Sequence, residues 1–451
     1  MKIALIFPGV GERGFNTHPK APEYNWINHG LCSLSACAKK EGHLVRLIDL
    51  RELSGWDAFK REIEAIRPQA VGITMMSVDF ECAIEGARIV KSCDENIKVI
   101  IGGPHPSIAP DEVAAYPQVD YVVVGEGEAI FLKLLDEIEK GCARDKIVTG
   151  SHPDLDALPF IDRELFGCKE SAIDTFLNRP FVTIVAGRGC IYNCSFCQPA
   201  ERKIFGSRVR RRSVANVIGE LNDLRDRLDF QSFMFHDDCL TEDAAWVREF
   251  CASYKKGGFK KPFICQSRAD IICKNEDLVR LMKRAGLAMF LIGFESGNQR
   301  MLNLLRKGAT VEANLRAARI CKKYGIRIWA NYMLGMPTET REEVMDTVAM
   351  IHAMKPYRLS PAFFTPHPGS DLYDYCVKNG LLLIKSYRDY ARSCDSPKVK
   401  GVDYDFVRKA FENSKKRFLS VRLYRKFDFI KERRARPALR KFIKFLYGIS
   451  K

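Results

Sequence analysis

Apolar residues 2–7 open the chain, and from there to about residue 141 short apolar runs alternate with segments whose apolar positions recur every three or four residues. The runs at 44–50, 70–74, 99–101 and 121–124 read as further strands. The periodic segments at 30–41, 56–66, 81–91 and 129–139 read as helices, with a short helix near 111–115. Five strands alternating with helices predict a parallel, doubly wound α/β sheet, whose ligands sit beyond the carboxyl ends of the strands. Residues 142–180 are less regular, with Pro153 and Pro159, and read as a linker.

A second alternation begins at residue 181. Strands are predicted at 181–185, 232–235, 262–266, 289–293, 327–333 and 360–365, and helices at 214–227, 244–254, 276–285, 311–324 and 341–354. Six βα units fall two short of a closed eight-fold barrel, so an open partial barrel is expected, with its site at the carboxyl rim of the strands. The domains implied are 1–141, a linker 142–180, a barrel 181–383 and a helical C-terminal region 384–451. No internal repeat or low-complexity tract interrupts them.

The unusual residues fall at strand ends. Thr74-Met75-Met76-Ser77, Gly102-Gly103-Pro104-His105 and Gly125-Glu126-Gly127-Glu128 follow the third, fourth and fifth strands and converge on one crevice. Glycines there let a bulky ligand approach the backbone, and small hydroxyls add hydrogen bonds. Taken singly, each is also an ordinary turn.

A composition of 46% hydrophobic and 28% charged residues is that of a globular protein. No apolar run approaches the roughly eighteen residues of a membrane span, and the amino terminus lacks a signal-peptide pattern, so a cytoplasmic location is expected. The sixteen cysteines are scattered, not packed into a small framework, so most are expected reduced. The formal charge of +16 is uneven, because 421–451 holds eleven Lys or Arg against Asp428 and Glu432. Its Phe, Leu and Ile residues are interleaved with those cations. That pattern suits a helix on an anionic membrane surface, and equally one packed on the barrel with a solvated basic face.

Only one cysteine group has ligand spacing. Cys190, Cys194 and Cys197 form C-x3-C-x2-C on a glycine-bearing loop just past the first barrel strand. Three thiolates so close in sequence can wrap one corner of a cubane, whereas structural zinc normally takes four ligands in two separated pairs. A 4Fe–4S cluster with three protein ligands leaves one iron open to a substrate or cofactor.

This loop, with Phe196 before its last cysteine, resembles that of radical S-adenosylmethionine enzymes. The N-terminal unit resembles the Rossmann-like cobalamin-binding domain that precedes a TIM-type radical core in one large subgroup, through its Gly-Gly-Pro-His and Gly-Glu-Gly-Glu strand ends. Together the resemblance covers residues 1 to about 383. It implies that Cys190, Cys194 and Cys197 each bind one iron, that S-adenosylmethionine chelates the fourth, and that an electron from the cluster yields a 5′-deoxyadenosyl radical. It also implies that Asp237 or Asp238 meets the methionyl amine, Arg268 the carboxylate, and Glu295 and Ser296 the ribose hydroxyls. Each of these is also readable as a cap or turn residue. Thr74, Met75, Ser77, Gly102, Gly103, His105, Gly125, Glu126 and Gly127 would surround cobalamin. The Asp-x-His-x-x-Gly loop of many cobalamin domains is missing. His18 lacks that spacing, so no histidine is expected below the cobalt.

The activity implied is methylation of an unactivated carbon, with cobalamin-assisted rearrangement or cyclisation as the alternative. Methylthiolation fits less well, because the N-terminal cysteines lack a second triad. A small-molecule or lipid-like substrate and an external electron donor such as flavodoxin or ferredoxin are expected partners. No nucleic-acid partner is expected, and the basic tail suggests peripheral membrane contact.

Overall fold

The computed structural model describes residues 1–9, 15, 27–167, 176–197, 201–391 and 396–414. His18 and the whole basic tail, 421–451, lie outside these residues. Strands β1 (Lys2–Phe7), β2 (Leu44–Asp49), β3 (Ala70–Thr74), β4 (Lys98–Gly102), β5 (Tyr121–Val124) and β6 (Ile147–Thr149) build a six-stranded sheet in the order β2-β1-β3-β4-β5-β6. Every pair is parallel. Strand order reverses between β1 and β3, which puts a crevice at their carboxyl ends.

Both faces are covered, and the strands show why they are apolar throughout. Ile3 and Leu5 of β1 face Leu31, Phe131 and Leu134 on one side. Ala4 and Ile6 face Phe59, Ile63 and Phe80 on the other. Full burial of each such large side chain contributes roughly 1.5–3 kcal/mol.

The sixth strand corrects the expected linker, since Ile147–Thr149 belongs to the first sheet. Val122 N–H donates to Lys146 C=O at 2.7 Å and Gly150 N–H to Val124 C=O at 2.8 Å, so the outer edge of β5 is paired instead of bare. A described part of the linker further on, at Arg163, is bolted down as well. Arg163 donates to Thr183 C=O at 2.8 Å and to the buried Glu220 at 2.7 Å.

The second domain starts with β7 (Phe181–Ile184) and a small antiparallel ribbon of β8 (Gly187–Arg188) and β9 (Arg210–Arg211). Strands β10 (Ser232–Phe235), β11 (Phe263–Ser267), β12 (Leu287–Glu295), β13 (Arg327–Leu334) and β14 (Arg358–Phe363) follow. The sheet order is β14-β13-β12-β11-β10-β7, all parallel. β7 and β14 are its free edges, so it is the open partial barrel expected from six βα units. The helices pack on its outer face, where Phe233, Phe235, Phe250, Tyr254 and Phe263 form one aromatic cluster.

The segment after the barrel returns to the first domain. Ser386 Oγ donates to Glu81 at 2.6 Å, and the Tyr387 ring stacks on Phe80 at 4.2 Å. Among the described residues no helix is long and apolar enough to cross a membrane. The fourteen described cysteines form no disulfide with one another.

Candidate active site between the two sheets

The carboxyl ends of both sheets open onto one cavity of about 430 Å³. Thr74, Gly102, Gly103, Gly125, Glu126 and Gly127 form its wall on the first domain. Val185, Gly187, Arg188, Gly189 and His236–Asp238 face them from the second. Leu155, Leu158, Pro159 and Phe160, from the segment expected as linker, line it too.

On the first domain the wall is built by missing side chains. Gly103 has φ +106°, and a Cβ there would lie 3.0 Å from Met75 N and from Thr74 Oγ1. A Cβ on Gly127 would lie 3.2 Å from Leu34. Between the helix His29–Lys40 and the sheet the cavity deepens into an apolar slot of Leu31, Leu34, Gly72, Ile100, Val123 and Phe131.

Three residues expected here face elsewhere. Met75 and His105 have 0% exposure and Ser77 is buried with them, none of the three lining the cavity. Ser77 Oγ lies 3.0 Å from His105 Nδ1, and the His105 ring packs edge-on to Phe80 and Tyr387. The cause is the tight β4 turn: His105 N–H donates to Met75 C=O at 3.0 Å, which draws both side chains behind the wall. Glu126 also departs from expectation, since its carboxylate is held by Arg188, Arg210 and His152.

On the second domain the cluster loop is stitched to its surroundings. Gly189 has φ +94°, and a Cβ there would fall 2.8 Å from Arg208 O. Ser195 N–H donates to Leu305 C=O at 3.0 Å, Ser195 Oγ to Leu304 C=O at 2.8 Å, and Leu372 N–H to Ser195 C=O at 2.8 Å. Phe196 packs into a patch with Met301, Leu305, Met336 and Leu372. Cys190, Cys194 and Cys197 are half-buried.

Arg268 reaches this loop from the end of β11. Its guanidinium lies 3.6 Å from the centre of the Tyr192 ring and donates to Cys194 Sγ at 3.8 Å and to Asp270 at 3.0 Å. Burial raises the Cys190 thiol above its ordinary range, and the carboxylate of Asp238 adds to the rise.

Residues 21–135 match the family described as B12 binding domain, and residues 184–351 match the Radical SAM superfamily. An uncharacterized methyltransferase of Pyrococcus horikoshii is 30% identical over 378 residues, covering 80% of this chain and 81% of that protein. The anaerobic magnesium-protoporphyrin IX monomethyl ester cyclase of Rubrivivax gelatinosus is 27% identical over 397 residues, covering 83% and 69%. The chain belongs to the cobalamin-binding radical S-adenosylmethionine family. Its fold is that of the radical S-adenosylmethionine methyltransferase TsrM from Kitasatospora setae, solved with cobalamin and a [4Fe-4S] cluster bound, with a TM-score of 0.66 at 18% identity over 87% of this chain and 84% of that one.

As a member of this family the enzyme uses a 4Fe–4S cluster, S-adenosylmethionine and cobalamin. The residues present suit these groups. Among the described residues no three His, Cys, Asp or Glu side chains gather as they would around a single ion. A cubane asks for something different, because each thiolate binds its own iron at its own corner. The glycine wall and apolar slot offer a flat, partly apolar ligand backbone contact without side chains in between.

The expected S-adenosylmethionine contacts divide in the radical enzyme's structure. Asp238 is exposed at the cavity, whereas Asp237 is buried, accepting from Ala186 N–H at 3.0 Å with Arg211 at 3.4 Å. Burial pushes Asp237 up to about 6 against the pull of Arg211. Ser296 has 0% exposure and lies 3.1 Å from Thr347 Oγ1, so it is not brought to the cavity. It sits one residue past the Gly293–Glu295 irregularity in β12, which turns it into the core.

Glu295 sits at that irregularity with φ +61° and holds Lys307 Nζ at 2.9 Å. Burial opposes the charge on Lys307, but Glu295 and then Cys194 outweigh it and keep the ammonium above its ordinary range. Lys307 also lies 5.8 Å from the Phe196 ring, and its carbonyl accepts from Arg268. Sequence reasoning missed Lys307 and Arg188. It also missed His29, whose ring lies 6.1 Å from that of His236 across the cavity. Desolvation and nearby arginines hold His29 well below the ordinary histidine range, and desolvation in the cavity lowers His236.

Proposed function

We propose that this enzyme transfers a methyl group to an unactivated carbon of a small or lipid-like molecule enclosed between the two sheets. The observation that supports it is the shared cavity, in which the glycine crevice faces Gly187, Arg188 and Gly189, the residues that lead directly into the cysteine triad. When bound, the cluster with S-adenosylmethionine supplies hydrogen-atom abstraction, and cobalamin supplies a transferable methyl group.

The chain's own residues then have distinct tasks. Cys190, Cys194 and Cys197 hold the cluster, and Arg268 and Lys307 place positive charge beside its loop. Asp238, exposed at the cavity, receives the methionyl amine, whereas Glu295, buried, paired with Lys307 and not lining the cavity, has its carboxylate committed inside the protein. Arg268 is already committed to Asp270, Cys194 and the Lys307 carbonyl, so its role is to steady the cluster loop more than to grip a carboxylate. Thr74, Gly102, Gly103, Gly125 and Gly127 hold the corrin. Leu155, Leu158, Pro159 and Phe160 help exclude water from the space between.

An acidic flavodoxin-like or ferredoxin-like donor fits the outer side of the cluster loop. Ile191 there is 44% exposed, and Arg202, Lys203 and Arg208 are exposed around it. Membrane contact through the tail rests on sequence pattern alone, because residues 415–451 lie outside those described.

The test is anaerobic reconstitution with S-adenosylmethionine, dithionite and hydroxocobalamin, followed by mass spectrometry of extracts from cells with and without the protein. A metabolite heavier by one CH2 supports methyl transfer. Cyclisation, favoured by the similarity to the Rubrivivax cyclase across both domains, predicts a product without that increment. Formation of no 5′-deoxyadenosine by the fully reconstituted enzyme would sink both.

A further inference from the structure

The loop 125–128 after β5 has two sides. All four residues border the cavity, Gly125 and Gly127 with bare backbone, while the side chains of Glu126 and Glu128 are buried and reach across to the second domain. Arg188 bridges the two carboxylates, with Nη1 2.6 Å from Glu126 Oε2 and Nη2 2.6 Å from Glu128 Oε1. Arg210, the ribbon partner of Arg188, also binds Glu126. His152 Nδ1 lies 2.8 Å from Glu126, and Ser33 Oγ donates to Glu128 at 2.8 Å. Burial opposes the charge on Arg188, but Glu128 and then Glu126 outweigh it.

Arg188 stands two residues before Cys190. The intervening Gly189 runs against the Arg208 carbonyl, so this stretch of chain is clamped and a shift at residue 188 has little slack before it reaches the first cysteine. The opposite end of the lattice is just as short, because Glu126 and Glu128 alternate with the crevice glycines. A ligand pressing on that loop moves the carboxylates, and moving these buried groups off the half-buried guanidinium is costly.

We infer that Arg188 is a positioning residue that couples occupancy of the glycine crevice to the seat of the cluster loop, so that each cofactor binds more tightly when the other is present. This rests on the two sites proposed above. Coupling of this kind is reciprocal and shows as a ratio of affinities, which a general loss of stability does not mimic.

The experiment is an anaerobic absorbance titration of hydroxocobalamin into the full chain, once with the cluster assembled and once after chelator has stripped the iron. The wild type should bind hydroxocobalamin at least about five-fold tighter with the cluster in place. In Arg188→Met the ratio should fall to about one, with iron content and circular dichroism unchanged. Glu128→Gln, nearly isosteric and on the other domain, should lower the ratio too. If Arg188→Met fails to fold or take up iron, Glu128→Gln decides alone. A wild-type ratio near one, or a variant that folds, takes up iron and keeps the wild-type ratio, overturns the coupling. Absence of any hydroxocobalamin binding by the wild type overturns the crevice reading itself, and the coupling with it.

Discussion

The two walls of the cavity reach opposite solutions to holding a ligand. The first domain clears space, with Gly72, Gly102, Gly103, Gly125 and Gly127 where side chains would otherwise project. The second fills space with charge, and its ions are matched inside the protein: Arg188 with Glu126 and Glu128, Arg212 with Glu220, Asp237 with Arg211. A site made of absence is damaged by adding atoms. A site made of matched charges is damaged by removing one partner.

The largest effect should come from the thiolates. Replacing Cys190, Cys194 and Cys197 together with alanine should reduce bound iron from about four per chain to background and remove the broad cluster absorbance. Iron analysis and visible spectra after anaerobic reconstitution measure this. A triple variant that still assembled the cluster would refute the ligand assignment. Hydroxocobalamin binding should weaken in it only by the coupling factor, since the crevice is untouched.

Next comes the glycine wall. Gly103→Leu puts a branched side chain at φ +106° with its Cβ 3.0 Å from the Met75 backbone, so a strain on the order of 1–3 kcal/mol is expected besides steric blockage. Corrinoid binding should be lost while iron content stays at the wild-type level. Loss of both would show that the walls are not independent at this position, and the comparison would fail there.

This contrast also explains what was legible in the sequence. Covalent spacing is local, so C-x3-C-x2-C announced itself, as did glycines after strands and the alternation that gives both sheets. β6 was missed because its three residues follow the charged run Arg144-Asp145-Lys146 and pair only because β5 lies beside them. The matched charges were missed for a related reason. Arg188 and Glu126 are 62 residues apart and on different domains, and nothing near either announces the other. Ser296 and His105 misled because small or polar residues at strand ends serve turns as often as ligands.

Asp237 gives a smaller effect with a definite sign. Its folded pKa, pushed up to about 6, stands above the ordinary 3.8, so the fold favours its protonated form. That contribution is complete below the unfolded pKa and is lost as pH rises through about 6. Wild-type stability relative to Asp237→Asn should therefore fall between about pH 4 and pH 7, by up to about 3 kcal/mol for a shift of roughly two units. Denaturant unfolding at several pH values measures it, and a difference independent of pH would refute the assignment.

The smallest effect lies outside the cavity, on the rim where the cluster loop meets solvent. Lys203 is exposed on the helix Glu201–Phe205 that follows the cysteines, with Arg208 exposed nearby. Exposed charges of this kind alter encounter rates more than they alter structure. Lys203→Glu should slow cluster reduction by an acidic flavodoxin a few-fold at low ionic strength, and added salt should erase the difference as the Debye length shrinks to roughly 8 Å at physiological strength. Reduction by dithionite, which needs no docked protein, should be much less affected. Stopped-flow absorbance with the two reductants separates these cases. An equal slowing with both would mean that Lys203 shapes the cluster loop itself, and the rim would then belong to the matched-charge wall and not to a separate docking surface.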